Sequence, residues 1–519
     1  MRYRISEIKI NPYDVAGESG GISRDKLAKS LELEIRKAAG NKAGSSVANV
    51  EIVRESVDAR RKGSVKLVYT ADFDCQADLP YPEAKPGTYT CPEPANTEGP
   101  RPVVVGFGPC GIFAGLVLAE AGLRPVIIER GKSVDERVKD VEAFWAEGAG
   151  GDAAPDPESN VQYGEGGAGT FSDGKLTTGI KDPRIRKVLE EFVKAGADSE
   201  ILYKHKPHIG TDRLREIVKN LRMKIESMGG EVRFRTRLES IETAEGQIRA
   251  VVTSGGRIET DYLVLAIGHS ARDTFGMLHD AGIHMEQKPF SIGVRIEHSQ
   301  KDINRVQYGD EKLAGILGAA DYKISYRCPE TGRGVYTFCM CPGGVVVNAS
   351  TEPGTSVTNG MSYSGRNSEY ANSALLVDVR REDFDGDHPL AGMKFQEKYE
   401  KLAWENRTAG GMARSTYGEF RSDGGNAVRQ SLPDFAQEAI IEAMPHLARK
   451  LKGFDRDDSV MTAVETRSSS PVRITRDEQL QSVSCKGLIP AGEGPGYAGG
   501  IMSAAVDGIR AAEQIILLK

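Results

Sequence analysis

Residues 101–131 read RPVVVGFGPCGIFAGLVLAEAGLRPVIIERG, and this stretch decides the fold. Val103, Val104 and Val105 form a short β-branched run, Gly106, Gly108 and Gly111 follow in G-x-G-x-x-G spacing, and Ile112 to Ala121 reads as a helix. A second strand, Pro125 to Ile128, ends at Glu129, eighteen residues beyond Gly111. The first glycine permits a tight turn, the second lets a pyrophosphate approach the backbone, and the third lets helix and strand pack closely. The helix N-terminus adds free N–H groups and the positive end of a dipole. A carboxylate at Glu129 accepts both hydroxyls of an adenosine ribose and disfavours a 2′-phosphate, so the expected ligand is FAD or NAD rather than NADP.

Working outward, 519 residues exceed one core, and two or three domains are expected. With 39% hydrophobic and 27% charged residues and a net charge of −6, the chain has no overall basic footprint for nucleic acid. No apolar run of membrane-spanning length and no secretory pattern at MRYRISEIKI are visible. Seven scattered cysteines suit a reducing compartment, and a cytoplasmic protein is expected.

Residues 1–78 read as a small α+β module: a strand from Tyr3 to Ile10, a helix from Arg24 to Ala39 capped by Ser23, and strands Val50–Asp58 and Val65–Phe73 around the basic turn Ala59-Arg60-Arg61-Lys62-Gly63. Residues 79–100 form a proline-rich linker. The first part of the dinucleotide domain spans 101–271. Within it, Asp152–Thr178 lacks periodicity and contains GEGGAGTFSDGK at 164–175, so its backbone is expected to pass close to a flat cofactor ring. Helices are expected at Ile185–Ala195 and Asp212–Ser227, strands at Glu231–Thr243, Ile248–Val252 and Tyr262–Ala266, and a turn at Ile267-Gly268-His269-Ser270.

Residues 272–459 change to a mixed α+β pattern, with a strand region in Val335–Ser350 and a helix in Met393–Asn406, and read as an inserted substrate domain. Residues 460–519 return to the first fold through the strand Gly487–Ala491, a glycine turn from Gly492 to Gly500 and a helix from Ile501 to Leu517. The fold class is therefore α/β: a split Rossmann-like domain with an insertion and an N-terminal module.

GFGPCG with Glu129, AIGHSA, and GLIPAGEGPGYAGGIMSAAVDG resemble the glutathione-reductase-type FAD proteins. VQYGEGGAGTFSDGKLTT, TFCMCPGG, ETRSSSPVRI and SVDARRK narrow the resemblance to bacterial FAD-dependent dehydrogenases with an N-terminal ferredoxin-like domain. The resemblance covers nearly the whole chain. It implies FAD as cofactor, with Gly106, Gly108 and Gly111 at the pyrophosphate beside Pro109 and Cys110, Glu129 and Arg130 at the ribose, and Leu238 at the adenine edge. It further implies Gly169, Thr170, Ser172, Lys175 and Gly268 along the cofactor, Gly492 and Glu493 at its ribityl side, and Gly499, Gly500 and Ile501 at the pyrimidine end of the flavin. Glu493 stands where the family often has Asp. Cys110, where alanine is common, reads as packing.

The spacing G-x-G-x-x-G recurs at Gly164–Gly169 and Gly494–Gly499 without the flanking strands of a second nucleotide domain. NADH or NADPH would then reduce the protein without a dedicated domain. No Cys-x(4)-Cys pair follows Glu129, which argues against a disulfide reductase. Cys339 and Cys341 alternate on an expected strand and would share a face; packing, redox or substrate contact, and metal binding with Cys328 remain open readings, although no fourth ligand is evident. Lys175 is either a solvated lysine or a countercharge to reduced flavin or an anionic substrate. His205 and His208 are either surface residues or a base or anion clamp. Arg467 either forks a substrate carboxylate or pairs with Glu465 or a neighbouring acid. The candidate catalytic set is Lys175, Arg467, Cys339 and Cys341, with no metal.

The function expected is FAD-dependent oxidoreduction through hydride transfer at flavin N5, on a small molecule the sequence does not name. The alternatives are an electron-transfer or modifying component that binds a protein or RNA through the 59–63 turn, and a non-catalytic FAD scaffold.

Overall fold

The computed structural model describes residues 1–519 apart from 41–45, 62, 86, 88, 149–153 and 409–410. Lys62 of the basic turn, Pro86 of the linker, and Asp152 at the start of the glycine-rich segment lie outside the described residues.

The N-terminal module is β1 (Arg2–Ile10), α1 (Arg24–Ala39), β2 (Ala48–Asp58) and β3 (Lys66–Asp74), with the antiparallel sheet order β1-β3-β2. Ser23 accepts a hydrogen bond from the Lys26 N–H to start α1, which buries Leu27, Leu31 and Ile35 against the sheet. On β3, Leu67, Tyr69, Ala71 and Phe73 are buried in strict alternation. The described module is thus βαββ, and residues 82–84 return along the free edge of β1. There Tyr3 bridges Glu83 antiparallel, and the N–H groups of Arg4 and Ala84 donate to the Pro82 and Arg2 carbonyls, so the strand order is ferredoxin-like with no second helix among the described residues. The rest of the proline-rich segment follows, its missing N–H groups and fixed φ unsuited to a helix. That segment is strapped along the end of the chain: the Tyr89 hydroxyl donates to Glu513 at 3.1 Å, and the Lys519 ammonium donates to the carbonyls of Glu98 and Pro100.

The central sheet is five-stranded and parallel. Its order is Leu488–Pro490, β10 (Leu263–Leu265), β4 (Val103–Val105), β5 (Val126–Ile128) and β6 (Glu231–Arg233), with Leu263 in register with both Val103 and Leu488. The last strand thus closes a sheet begun nearly four hundred residues earlier, as a split domain requires. Helix α2 (Pro109–Glu120) is apolar all round because it is buried all round. The C-terminal helix, Ile501–Leu518, lies against it so closely that a Cβ on Gly508 would sit 2.1 Å from the carbonyl oxygen of Cys110.

Three further helices, α3 (Val134–Gly148), α4 (Arg184–Lys194) and α5 (Thr211–Ser227), belong to this domain, and α3 was not anticipated from the sequence. The single strand expected over Glu231–Thr243 is two strands in two sheets. β6 ends the parallel sheet, Arg235 turns the chain at φ +52°, and β7 (Leu238–Ala244) begins an antiparallel sheet with β8 (Gln247–Thr253) and β9 (Gly256–Glu259). No glycine or proline marks that break, because it is made by backbone bonds from Arg235 and Thr236 to the carbonyls of Gly131 and Glu129.

The inserted domain is a six-stranded antiparallel sheet ordered Ser325–Arg327, Gly334–Cys341, Tyr370–Val379, Phe290–Ser299, Val460–Glu465 and Ala413–Thr416. Its core includes residues of the helix Asp434–Lys450. Its sheet runs from Phe290 to Glu465. The strand Val460–Glu465 therefore pairs inside the insertion rather than after it, and Phe275 and Leu278 of the helix Arg272–Asp280 pack with the dinucleotide domain. Loops join the two domains: Arg366 forks onto Asp173, and Asp212 accepts from the N–H and hydroxyl of Ser364 at 2.7 and 2.6 Å.

Replacing Gly508 by valine should force the two central helices apart and destabilise the protein by roughly 1–3 kcal/mol. Denaturant unfolding of the purified variant measures this, and wild-type stability would show that the helices do not approach as described.

Candidate functional site

The glycine turns of the central sheet open into one cleft of about 2020 Å³, walled on its other sides by the inserted sheet and the N-terminal module. Its organising residue is Glu129, at the C-terminal end of β5 and 5% exposed. One carboxylate oxygen accepts from the Phe107 N–H at 2.9 Å; the other accepts from the N–H groups of Gly131 at 2.8 Å and Gly164 at 3.0 Å. The side chain thus fixes the first glycine turn and the glycine-rich segment together, and one oxygen keeps acceptor capacity toward the cleft.

The glycine-rich segment is pinned from behind by Arg137 of α3. Its fully buried guanidinium donates to the carbonyls of Asn160, Val161 and Glu165, each at 2.8 Å, and lies over the ring of Phe171. Burial pulls this guanidinium down to about 9. Glu165, also fully buried, accepts from the Val134 N–H and from Arg222.

The residues fit a dinucleotide. Gly108 starts α2 and Gly500 starts the C-terminal helix; neither helix carries a side-chain cap, and both N-termini line the cleft. A Cβ on Gly268, Gly499 or Gly500 would meet no protein atom within 4 Å, so these three present bare backbone to the open space. Pro109, Cys110, Arg130, Gly169, Ser172, Leu238 and Ile501 line the same cleft with Gly106, Gly108, Glu129 and Glu493.

Three expected contacts are placed elsewhere. A Cβ on Gly111 would lie 1.9 Å from the Gly106 carbonyl oxygen, so this glycine serves the strand–helix approach. Gly492 packs on Cys110, and the buried Thr170 hydroxyl donates to the Glu165 carbonyl. Cys110 is buried, and burial pushes its thiol well up, in keeping with packing.

Of the catalytic candidates, Lys175 lines the cleft, and no acceptor for its ammonium is found among the described residues. Arg467 also lines it but is spoken for: it forks onto Glu400 at 3.1 and 2.9 Å and donates to Thr351. Its partner is therefore Glu400, from the inserted domain's helix Ala391–Glu405, and not Glu465, which instead holds the fully buried Arg295. Glu400 also accepts from Arg272 and from Thr466, and the Arg272 and Arg467 guanidinium groups hold its carboxyl far below the usual range despite complete burial.

Both cysteines line the cleft, but at different depths. A bulge between Phe338 and Cys341 breaks the alternation, with Cys339 at φ +42°, exposed to the cleft, and Cys341 buried. Enclosure by protein pushes the Cys339 thiol up to about 12, with Lys175 and Arg295 opposing. Cys328 is buried away from the cleft, near the Ala439 carbonyl, and no cluster suited to a metal occurs among the described residues. His205 lines the cleft; His208 is half-buried outside its lining, against the Ser364 carbonyl, and desolvation lowers it to about 4. In the basic turn, Arg60 is folded back onto Asp58.

Several cleft residues escaped the sequence reading. His269 sat unremarked in the 267–270 turn; its imidazole lies 3.7 Å from Glu493, and burial pulls it down to about 3. Lys288, Arg295 and Tyr336 carry no local motif, and Ser468, within ETRSSSPVRI, joins them in the lining of the cleft. Burial pushes the Glu493 carboxyl up to about 7, with Lys288 opposing.

Residues 289–424 and 422–468 match the family described as FAD-dependent protein, C-terminal domain-like, which coincides with the inserted sheet. An uncharacterized protein of Clostridium beijerinckii is 44% identical over 95% of this chain and 97% of its own length. Among solved structures, glycine oxidase from Bacillus cereus is similar at 10% identity over 80% of this chain and 95% of that one, with a TM-score of 0.32. L-amino acid deaminase from Proteus myxofaciens is similar at 11% identity over 81% and 91%, with a TM-score of 0.37. At these values the likeness carries neither substrate nor mechanism.

Two results are expected. Glu400→Gln strands Arg467 and Arg272 in the interior and should cost roughly 3–5 kcal/mol at neutral pH by denaturant unfolding. The stabilisation lost is the part that wild type has above the ordinary carboxyl range and gives up as pH falls. Second, the visible spectrum of the flavin-loaded protein should titrate with a midpoint near 7 as Glu493 loses its proton, and Glu493→Gln should abolish that transition. With the clostridial protein matching over nearly its whole length and the FAD-dependent model matching the insertion, the chain belongs to one family with that protein, and its inserted domain is of the FAD-dependent, C-terminal-domain-like kind.

Proposed function

We propose that the protein transfers a hydride between flavin N5 and a small anionic molecule held between the glycine cradle and the inserted sheet. FAD supplies the two-electron chemistry when bound. The observation that carries the reading is the position of Lys175: it follows the glycine-rich segment, faces the cleft with Cys339 across from it, and has no carboxylate of its own.

The chain's residues divide the work. Gly500 and the helix it opens present N–H groups to whatever negative charge gathers at that end of the cleft, while the Gly499 N–H donates to the Ser503 hydroxyl. Lys175 supplies a compact, mobile positive charge on the substrate side. Tyr336, whose hydroxyl is hydrogen-bonded to Ser291 at 2.7 Å, and Phe338 offer a flat, partly apolar wall that excludes water from the reacting face. Glu493, with its carboxyl near neutrality and His269 beside it, is the group best suited to hold or release a proton. Arg467 acts as a brace, since Glu400 and Thr351 occupy its donors.

Anaerobic spectra on addition of NADH and of NADPH test the direction. Bleaching by either marks a nicotinamide-driven reductase; with no bleaching but full reduction by dithionite, electrons enter from an organic substrate. In whichever direction turnover is found, Lys175→Met should slow flavin reduction by roughly a hundredfold with FAD content unchanged. An unchanged rate would remove Lys175 from the reaction.

A further inference from the structure

The charges lining the cleft do not cancel. Arg2 is answered by Glu51, Arg4 by Asp72, Arg186 by Glu190, Arg366 by Asp173 and Lys206 by Asp321. Arg54, Lys175, Lys181 and Lys323 line the same space and have no carboxylate partner among the described residues. In a chain of net charge −6 this local surplus runs against the whole.

The four cations come from three parts of the molecule. Arg54 is on β2 of the N-terminal module, Lys175 and Lys181 follow the glycine-rich segment, and Lys323 belongs to the inserted domain. One crossing segment, residues 203–208, ties these parts together. The Glu55 N–H donates to the Tyr203 carbonyl at 2.7 Å, which joins it to β2; the Leu176 N–H donates to the Pro207 carbonyl at 2.9 Å; and Lys206 binds Asp321 at 2.8 Å, two residues before Lys323. The Arg54 guanidinium reaches the His205 ring nitrogen Nδ1 at 3.3 Å. Desolvation, then the charges of Arg54 and Lys206, shift that imidazole below its ordinary range. The N-terminal module is thereby a wall of the cleft, and its arginine faces inward.

A cleft with low-dielectric walls and one surplus sign focuses its field on ligands of the opposite sign. Four separated cations suit a multiply charged group better than a single carboxylate. We propose that this three-sided rim binds the phosphate or pyrophosphate end of an elongated small molecule whose other end reaches the glycine cradle, with Lys175 innermost. This rests on the function proposed above and names the class of its substrate. The same chemistry is offered by a nicotinamide dinucleotide and by a phosphorylated metabolite.

The test is calorimetric titration of inorganic pyrophosphate into the FAD-loaded protein, where the cofactor's own pyrophosphate already fills its place. Binding that weakens with added salt, and that falls by roughly tenfold or more in Arg54→Glu with Lys323→Glu and by less in Arg54→Gln with Lys323→Gln, supports the rim. Lys139→Glu, on α3 outside the cleft, should change nothing. No binding by wild type, or binding indifferent to both pairs of substitutions at unchanged FAD content, overturns it. If NADPH bleaches the flavin and pyrophosphate competes with it, the ligand is the nicotinamide dinucleotide; if pyrophosphate binds and neither nucleotide bleaches the flavin, it is another phosphate ester. Both support the rim. Flavin that dithionite cannot reduce would defeat the proposed function while leaving the pyrophosphate result to stand by itself.

Discussion

The Glu129 carboxylate is the constraint on which the site depends. Three backbone N–H groups, from Phe107, Gly131 and Gly164, converge on its two oxygens in a nearly closed setting. Bonds from backbone donors to an ionised carboxylate are among the stronger hydrogen bonds a protein makes, and leaving several such donors unmet in the interior is costly. The first glycine turn, the end of the second strand and the glycine-rich segment therefore cannot move independently. A segment with the composition of a flexible loop is thus held as a rigid wall, and Arg137 secures its far side.

From that fixed corner the rest follows by connection. The segment runs on to Lys175, which the pairing with residues 207–208 places at the cleft, and Asp173 takes the Arg366 fork from the insertion. Glu400, Arg272 and Arg467 join the insertion's long helix to the chain as it returns toward the central sheet. Ion pairs and backbone bonds near the cleft thus join the domains, beside apolar contacts such as Phe171 with Ala349 and Val357, and the cleft is where all three domains meet. The N-terminal module, by sequence a separate appendage, is one of its sides.

Much of this was legible in the sequence where the signal was local. The run Val103–Val105, the glycine spacing, Glu129 and the terminal helix appear where their periodicity and turn chemistry put them. What escaped was set by distance. Arg467 could be seen as an arginine needing an acid, but its acid lies 67 residues earlier, on a helix of the insertion. The strand alternation of the cysteines is broken by a bulge that no residue announces, which leaves Cys339 exposed and Cys341 buried, both lining the cleft. The strand Glu231–Thr243 had an unbroken pattern because its break is imposed by carbonyls from the neighbouring strand's end. Of the basic rim only Lys175 sits in a motif; Lys288, Arg295, Arg54, Lys181 and Lys323 have none, and only the folded chain gathers them.

The most direct measurement is a titration of FAD into the apoprotein, in wild type and in Glu129→Ala. The account predicts one FAD per chain in wild type, and binding lost or severely weakened in the variant even where circular dichroism shows the fold retained. Full-strength binding by Glu129→Ala, or no binding by wild type, would contradict the claim that this carboxylate builds the cofactor site.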